Sequence, residues 1–328
     1  MHASTDSRRR SSLLLFLGLS LCLLAGAPAS TTARPLRIAL LPIIDSLPFY
    51  VAEKQKFFEA AGVQVEAINV ASAADRDQLM QSEQIDGMLN EIVSSANFNR
   101  DQPRVMIVAA VRSARPGHPL FRLLAAPGSP HRNITDLADV PIGISRHTVI
   151  EYVTDRLLQN AGLPPERIRK HSVPAIPERY QLLIQGHLPA AMLPDPLAMS
   201  AIEAGAVLVA DDTAAADYSL SILTFALAAV QAKHDQIQGF IAAWQRAAAA
   251  INAAPRAYRT LMLAKIRIPP NVRDSFRIPP FTHGRVPTAG QWQDAMTWMQ
   301  ARHLLTAPLP YNRSVTDRFI RSVAADRP

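Results

Sequence analysis

The feature that most restricts the fold is an alternation of short apolar runs with amphipathic segments, kept up from Leu36 to Val230. Leu36–Leu41 is a short apolar run stopped by Pro42 and reads as a buried strand. Leu47–Ala61 reads as a helix: Tyr50, Val51, Phe57 and Phe58 are apolar, Glu53, Lys54, Lys56 and Glu59 polar, and Gly62 closes it. Strands are predicted at Val63–Ile68, Ile85–Leu89, Arg104–Val111 and Arg122–Ala126, with a helix at Ala73–Ser82. The pattern then repeats. A short helix at Ile134–Leu137 leads to a strand at Pro141–Ile144 and a helix at Val149–Ala161, ended by Gly162. Next come a strand at Ile168–Val173, a helix at Glu178–Gln185, a strand at Ala190–Leu193 and a helix at Leu197–Ala204. Strands at Val207–Val209 and Thr224–Val230 end this part. From His234 the chain is helical (His234–Asn252, Arg256–Ala264, Ala289–Ala301, Val315–Ala324), interrupted by a Pro-rich loop at Ile268–Pro287. Such alternation means βαβ units and mainly parallel sheets. Two successive runs in 328 residues predict two α/β lobes rather than one closed barrel.

The first residues read differently. Arg8-Arg9-Arg10 precede the uncharged run Leu13–Leu24, and small residues follow to Ser30. A basic start, a short apolar stretch and the A-x-A site Ala27-Pro28-Ala29 describe a secretory signal peptide over residues 1–29. The apolar stretch is too short for a spanning helix, which needs about 20 residues. Cys22 is the one cysteine, and Leu21 stands before it where a lipid-attachment motif wants a small side chain; cleavage is therefore expected ahead of lipid anchoring. The leader takes with it two of the seven surplus positive charges. The mature chain then has no cysteine, hence no disulfide scaffold, no multi-cysteine metal site and no cysteine nucleophile.

Catalytic signatures are missing. There is no G-x-G-x-x-G, P-loop, H-E-x-x-H or G-x-S-x-G, and the nine histidines form no pair at i, i+4. The sequence therefore predicts no cofactor, no metal and no catalytic residue. Basic residues are dispersed and not interleaved with aromatics, which speaks against nucleic acid.

The run Leu36-Arg37-Ile38-Ala39, then Leu47-Pro48-Phe49-Tyr50-Val51-Ala52, then Phe57-Phe58-Glu59-Ala60-Ala61-Gly62-Val63-Gln64-Val65-Glu66 resembles the opening of substrate-binding proteins of ABC importers. It is similar to the branch that binds aliphatic sulfonates, taurine, nitrate and thiamine-pyrimidine precursors. Lys56 stands where that branch usually has Gly, a small surface departure. Gln84-Ile85-Asp86-Gly87, Ile134–Ile144, Leu182–Leu193 with Pro194-Asp195-Pro196, and Phe240–Pro255 resemble further family segments in the family's order. The four-cysteine signature of the yeast thiamine-precursor synthases is absent. The resemblance implies a two-lobed periplasmic-binding-protein fold of type II, each lobe a mainly parallel sheet flanked by helices, with two hinge crossings. These are expected near Leu123–Ala125 and Thr224–Ala226, giving lobe 1 as 35–124 plus 225–328 and lobe 2 as 125–224.

In open parallel sheets ligands sit beyond the carboxyl ends of the strands, so the strand-to-helix loops supply the candidate ligand contacts. Asp45 and Ser46 come first; each could equally cap the following helix. Asn90 offers a donor and an acceptor, and Glu91 could face an ammonium or ring N–H or be a cap. Ser145, His147 and Thr148 lead into the helix at Val149 and form the best cradle for an anion or carbonyl. Asp195, between two prolines, offers a rigid carboxylate or simply a turn. Phe49, Tyr50 and Tyr152 could stack on a flat ligand, though core positions suit them better.

The expected function is that of an extracytoplasmic solute-binding component of an ABC transporter, a monomer capturing a small molecule, a heterocycle or a sulfonate-like anion, and delivering it to a permease with its ATPase. The alternative is a periplasmic enzyme on the same fold with Asp45, Glu91 or Asp195 as acid or base. A periplasmic sensor domain is a third, weaker reading.

Overall fold

The computed structural model describes residues 34–215 and 217–325. The expected leader, residues 1–29 with Cys22, lies outside them. Ten strands are present: β1 (Leu36–Leu40), β2 (Val65–Asn69), β3 (Gly87–Asn90), β4 (Val105–Ser113), β5 (Phe121–Ala125), β6 (Pro141–Ile144), β7 (Arg169–Ser172), β8 (Ala190–Pro194), β9 (Val207–Asp211) and β10 (Leu220–Ala226). Between and after them run α1 (Leu47–Lys54), α2 (Phe57–Ala60), α3 (Ala73–Gln81), α4 (Ile92–Asn99), α5 (Val149–Asn160), α6 (Ile176–Ile184) and α7 (Leu197–Glu203). The rest are α8 (Leu227–Ala232), α9 (His234–Ala253), α10 (Arg259–Lys265), α11 (Ala289–Ala301) and α12 (Arg318–Ala325).

The strands form two five-stranded sheets of identical plan, β2-β1-β3-β10-β4 and β7-β6-β8-β5-β9. In each, the first three strands are parallel, and the fourth runs antiparallel to its neighbours. That fourth strand is the one arriving from the other sheet. The crossings thus fall at 114–120, between β4 and β5, and at 212–219, between β9 and β10. The expected crossings near Leu123–Ala125 and Thr224–Ala226 are corrected accordingly. Leu123–Ala125 pair with β8 and β9, and Thr224–Ala226 pair with β4, because a buried apolar segment must place its backbone groups in a ladder.

The single helix expected over Leu47–Ala61 is two helices. Lys56 between them takes φ 56°, and Gly62 after them φ 67°. The left-handed region costs an L-residue about 1–2 kcal/mol and glycine nothing. The lysine standing in the family's glycine position is therefore a backbone departure and not only a surface one.

Packing follows the sheets. On the first sheet, Phe58 stacks on Phe240 with centroids 5.4 Å apart, and Phe49 and Trp244 complete an aromatic layer between α1, α2 and α9. Phe225 reaches the same layer from β10 and lies over Gly87. A second cluster joins the two sheets: Ile92 and Val93 of α4, Tyr152 and Val153 of α5, and Trp292 and Trp298 of α11 are buried together. Ion pairs tie that joint. Asp155 of α5, fully buried, accepts from Lys170 Nζ at 3.1 Å, from Trp298 Nε1 at 2.9 Å and from Arg302. Asp294 of α11 accepts from the Tyr152 hydroxyl and from Arg156. On the opposite flank Ser200 of α7 and Asn271 exchange hydrogen bonds of 2.8 and 2.9 Å.

Candidate functional site

A cavity of about 60 Å³ lies between the two sheets, beyond the carboxyl ends of β1, β3, β6 and β8. Most of its wall is apolar, from Ile43 and Leu89 on one side, Ile150 and Ile176 on the other and Phe121 at the crossing. Its polar residues are Arg76, Asn90, Glu91, Ser145, Thr148 and Ser221. A larger depression of about 570 Å³ sits at the other end of the first sheet, where β3 and β4 begin.

Of the sequence-predicted contacts, Asn90, Glu91, Ser145 and Thr148 line the cavity; Asp45, Ser46, His147 and Asp195 do not. The four that do not line it are engaged elsewhere. Asp45 is buried against Arg112, with N···O 3.5 Å, and accepts from Ser221 Oγ at 2.5 Å. Ser46 donates to the Leu41 carbonyl. Asp195 is held by both ends of the Arg122 guanidinium, at 3.2 and 3.0 Å, and accepts from the Met199 amide. His147 is exposed with φ 59°; its amide donates to Glu151, and its carbonyl accepts from Asn97 of α4.

The residues that do line the cavity differ in what they leave free. Thr148 caps α5, accepting from the Ile150 amide, and its own proton goes to the Ser145 carbonyl. Ser145 Oγ donates to the Pro174 carbonyl and accepts from Arg179. Glu91 caps α4, its carboxylate accepting from the amides of Val93 at 2.6 Å and Ser94 at 3.0 Å. Burial pushes this carboxyl up from the usual 4.5 to about 7, against the pull of the Arg76 guanidinium. Asn90 Nδ2 donates to Ser95 Oγ at 3.1 Å, and Asn90 Oδ1 is buried with no partner.

Three buried arginines escaped the sequence reading: Arg112, already met beside Asp45, and two on helices, Arg76 and Arg179. Arg76 on α3 is 1% exposed; it pairs with Asp77 and donates to the Leu89 carbonyl and Ser94 Oγ. Arg179 on α6 is fully buried and meets no carboxylate: it donates to the carbonyls of Met192 and Val173 and to Ser145. Burial draws its guanidinium down to about 10. The signal for the two on helices was an arginine four residues before an apolar one, Met80 and Leu183, on a helix face turned to the core. Asp212, in the second crossing, accepts from the amides of Leu120 at the end of the first and of Phe121 at the start of β5, and burial pushes it up to about 7. It fastens the two crossings to each other. Among the described residues no group of three His, Cys, Asp or Glu could hold a metal ion.

Solved structures with this architecture include binding proteins of import systems and an enzyme. The ligand binding component of an ABC-type import system from Staphylococcus aureus matches with TM-score 0.74 at 14% identity, over 88% of this chain and 98% of that one. The periplasmic aliphatic sulphonate binding protein SsuA from Escherichia coli matches with TM-score 0.70 at 17% identity, over 88% and 99%. The desulfurization enzyme DSZB matches with TM-score 0.65 at 15% identity, over 89% and 99%. At these identities the likeness establishes the periplasmic-binding-protein fold. No curated protein matches the sequence. The family model "NMT1/THI5 like" matches residues 43–258, two thirds of the sequence, and the chain belongs to that family.

Proposed function

We propose that the protein is the extracytoplasmic solute-binding component of an ABC importer, exported by the leader at residues 1–29. It holds a small organic molecule between two lobes and hands it, unaltered, to a permease with its ATPase. The observation that carries this reading is the cavity between the two sheets, walled by residues of both and lying at the strands' carboxyl ends. The two lobes are those defined by the sheets, hinged at 114–120 and 212–219. Binding sites for small molecules usually enclose 300–1,000 Å³, so a cavity of about 60 Å³ implies that the lobes part to admit ligand and close on it. The ABC-import proteins that share the fold support the same reading. A thermal-shift screen of the protein against vitamins, pyrimidines, sulfonates and amino acids tests it: a stabilising compound recovered unchanged is the expected result.

One observation favours an enzyme instead. Glu91, a cavity carboxyl pushed up to about 7, suits a proton-transfer role, and DSZB is an enzyme of this fold. Against it, Asp45 and Asp195 are engaged by arginines, and no cysteine follows Cys22. Turnover of any stabilising compound, lost in Glu91→Gln, would establish the enzyme reading.

A further inference from the structure

The cavity's polar groups are nearly all satisfied from within the chain, and the exception has a definite chemical sense. The Glu91 carboxylate occupies the amides of Val93 and Ser94 at the start of α4. The hydroxyl protons of Ser145 and Thr148 go to carbonyls. Arg76 is paired with Asp77, and Arg112 and Arg122 are held by Asp45 and Asp195. Among the residues that line the cavity, what remains is Asn90 Oδ1; behind the wall Arg179 Nη2, on the guanidinium that donates to Ser145, is also without a partner.

The orientation of the Asn90 amide is fixed by its neighbours. Ser95 Oγ gives its single proton to the Glu91 carbonyl at 2.9 Å, so it can only accept from Asn90, which must present Nδ2 there. Thr224 Oγ1 lies on the same side, 3.5 Å from Nδ2 and 3.2 Å from Ser95 Oγ. The oxygen is thereby turned from that pair. Asn90 lines the cavity, is only 3% exposed, and its Oδ1 has no partner. A buried acceptor left unmatched carries its full desolvation penalty, and a donor arriving with the ligand removes it.

We infer that the cavity takes a compact, mainly apolar molecule whose recognised polar end is an N–H donor to Asn90 Oδ1, and that it discriminates against a bare anionic head. This rests on the reading of the cavity as the solute site. The Glu91 carboxylate on the same wall is taken up by the α4 amides and denies that helix end to a ligand anion. The apolar side chains of Leu89, Ile150 and Ile176 then fit the rest of the molecule.

The test uses three compact probes measured on the purified protein by ligand-observed NMR: pyrrole, its oxygen isostere furan, and methanesulfonate. Pyrrole and furan have nearly the same shape and differ in the N–H. Pyrrole is expected to bind roughly tenfold more tightly than furan, the scale of a buried acceptor gaining or lacking its donor, and methanesulfonate more weakly than either. In Asn90→Leu the preference for pyrrole should vanish. Should that variant not fold, the pyrrole-to-furan ratio in the unaltered protein decides alone. Equal binding of pyrrole and furan overturns the inference, as does no binding of any probe. Tightest binding of methanesulfonate overturns it too, but leaves the solute-binding reading standing. That reading fails separately, if no class in the thermal-shift screen stabilises the protein.

Discussion

Replacing Glu91 by Gln should make the protein more stable in alkali and less stable in acid, and the size of the swing can be worked from the burial of one carboxyl. Its ionisation is moved from 4.5 to about 7 by burial. A tenfold change in an ionisation equilibrium is worth about 1.4 kcal/mol, so the ionised form weighs against folding by about 3 kcal/mol. Below pH 4.5 the group is protonated in both the folded and the unfolded chain and nothing is lost. Between pH 4.5 and 7 the unfolded chain gives up the proton and the folded one keeps it, so stability falls. Above pH 7 both are ionised and the loss is constant. Glutamine abolishes this titration but retains only one good acceptor for the Val93 and Ser94 amides, which weakens the cap by about 1 kcal/mol. The variant should therefore lose about 1 kcal/mol at pH 4.5 and gain about 2 kcal/mol at pH 8. Urea denaturation of both proteins at the two pH values measures this. An effect of Glu91→Gln that is the same at both would show that the carboxyl is not held in a site that disfavours its charge.

Other substitutions test other parts of the fold. Gly87→Ala would place a Cβ 2.6 Å from the Phe225 ring and should destabilise by about 1–3 kcal/mol, seen as a lower melting temperature. Lys56→Gly relieves the left-handed backbone at φ 56° and should stabilise by up to about 1 kcal/mol, glycine's own entropy offsetting the rest of the gain; a loss in the same melt would contradict the backbone argument. Asp155→Leu strips Arg302 and the Trp298 indole of their buried acceptor and leaves Lys170 to Glu151 alone; it should destabilise by about 3 kcal/mol. Asp155→Asn keeps the shape and should recover part of that in the same denaturation experiment.

The elements most legible in the sequence were those whose period was clean. α11 was read at its observed bounds, Ala289–Ala301, and β6 at Pro141–Ile144. The sequence reading assigns no helix to α4, because Ile92-Val93-Ser94-Ser95-Ala96 are all buried and leave no polar stripe to mark the turn of the helix. The strand predicted at Thr224–Val230 is β10 from Leu220 to Ala226 and then α8. The run from Leu220 to Val230 is apolar almost throughout, and periodicity alone cannot divide it. Within the candidate site, the loops after β3 and β6 were found by rule, since strand ends can be counted along the chain. Which side chain was free could not be. Asp45 and Asp195 meet Arg112 and Arg122 across long sequence separations, and the free oxygen of Asn90 depends on Ser95 and Thr224.

The joint between α5 and α11 has a practical consequence for following the protein in solution. The chain has three tryptophans. Trp244 lies buried inside the aromatic layer of the first sheet. Trp292 and Trp298 lie in the cluster where the two sheets meet, and the Trp298 indole donates to Asp155 of α5. A rotation that parts α5 from α11 wets one indole and breaks its hydrogen bond while leaving Trp244 untouched. If the lobes open there as proposed, tryptophan emission would report it against an internal reference, with no attached dye.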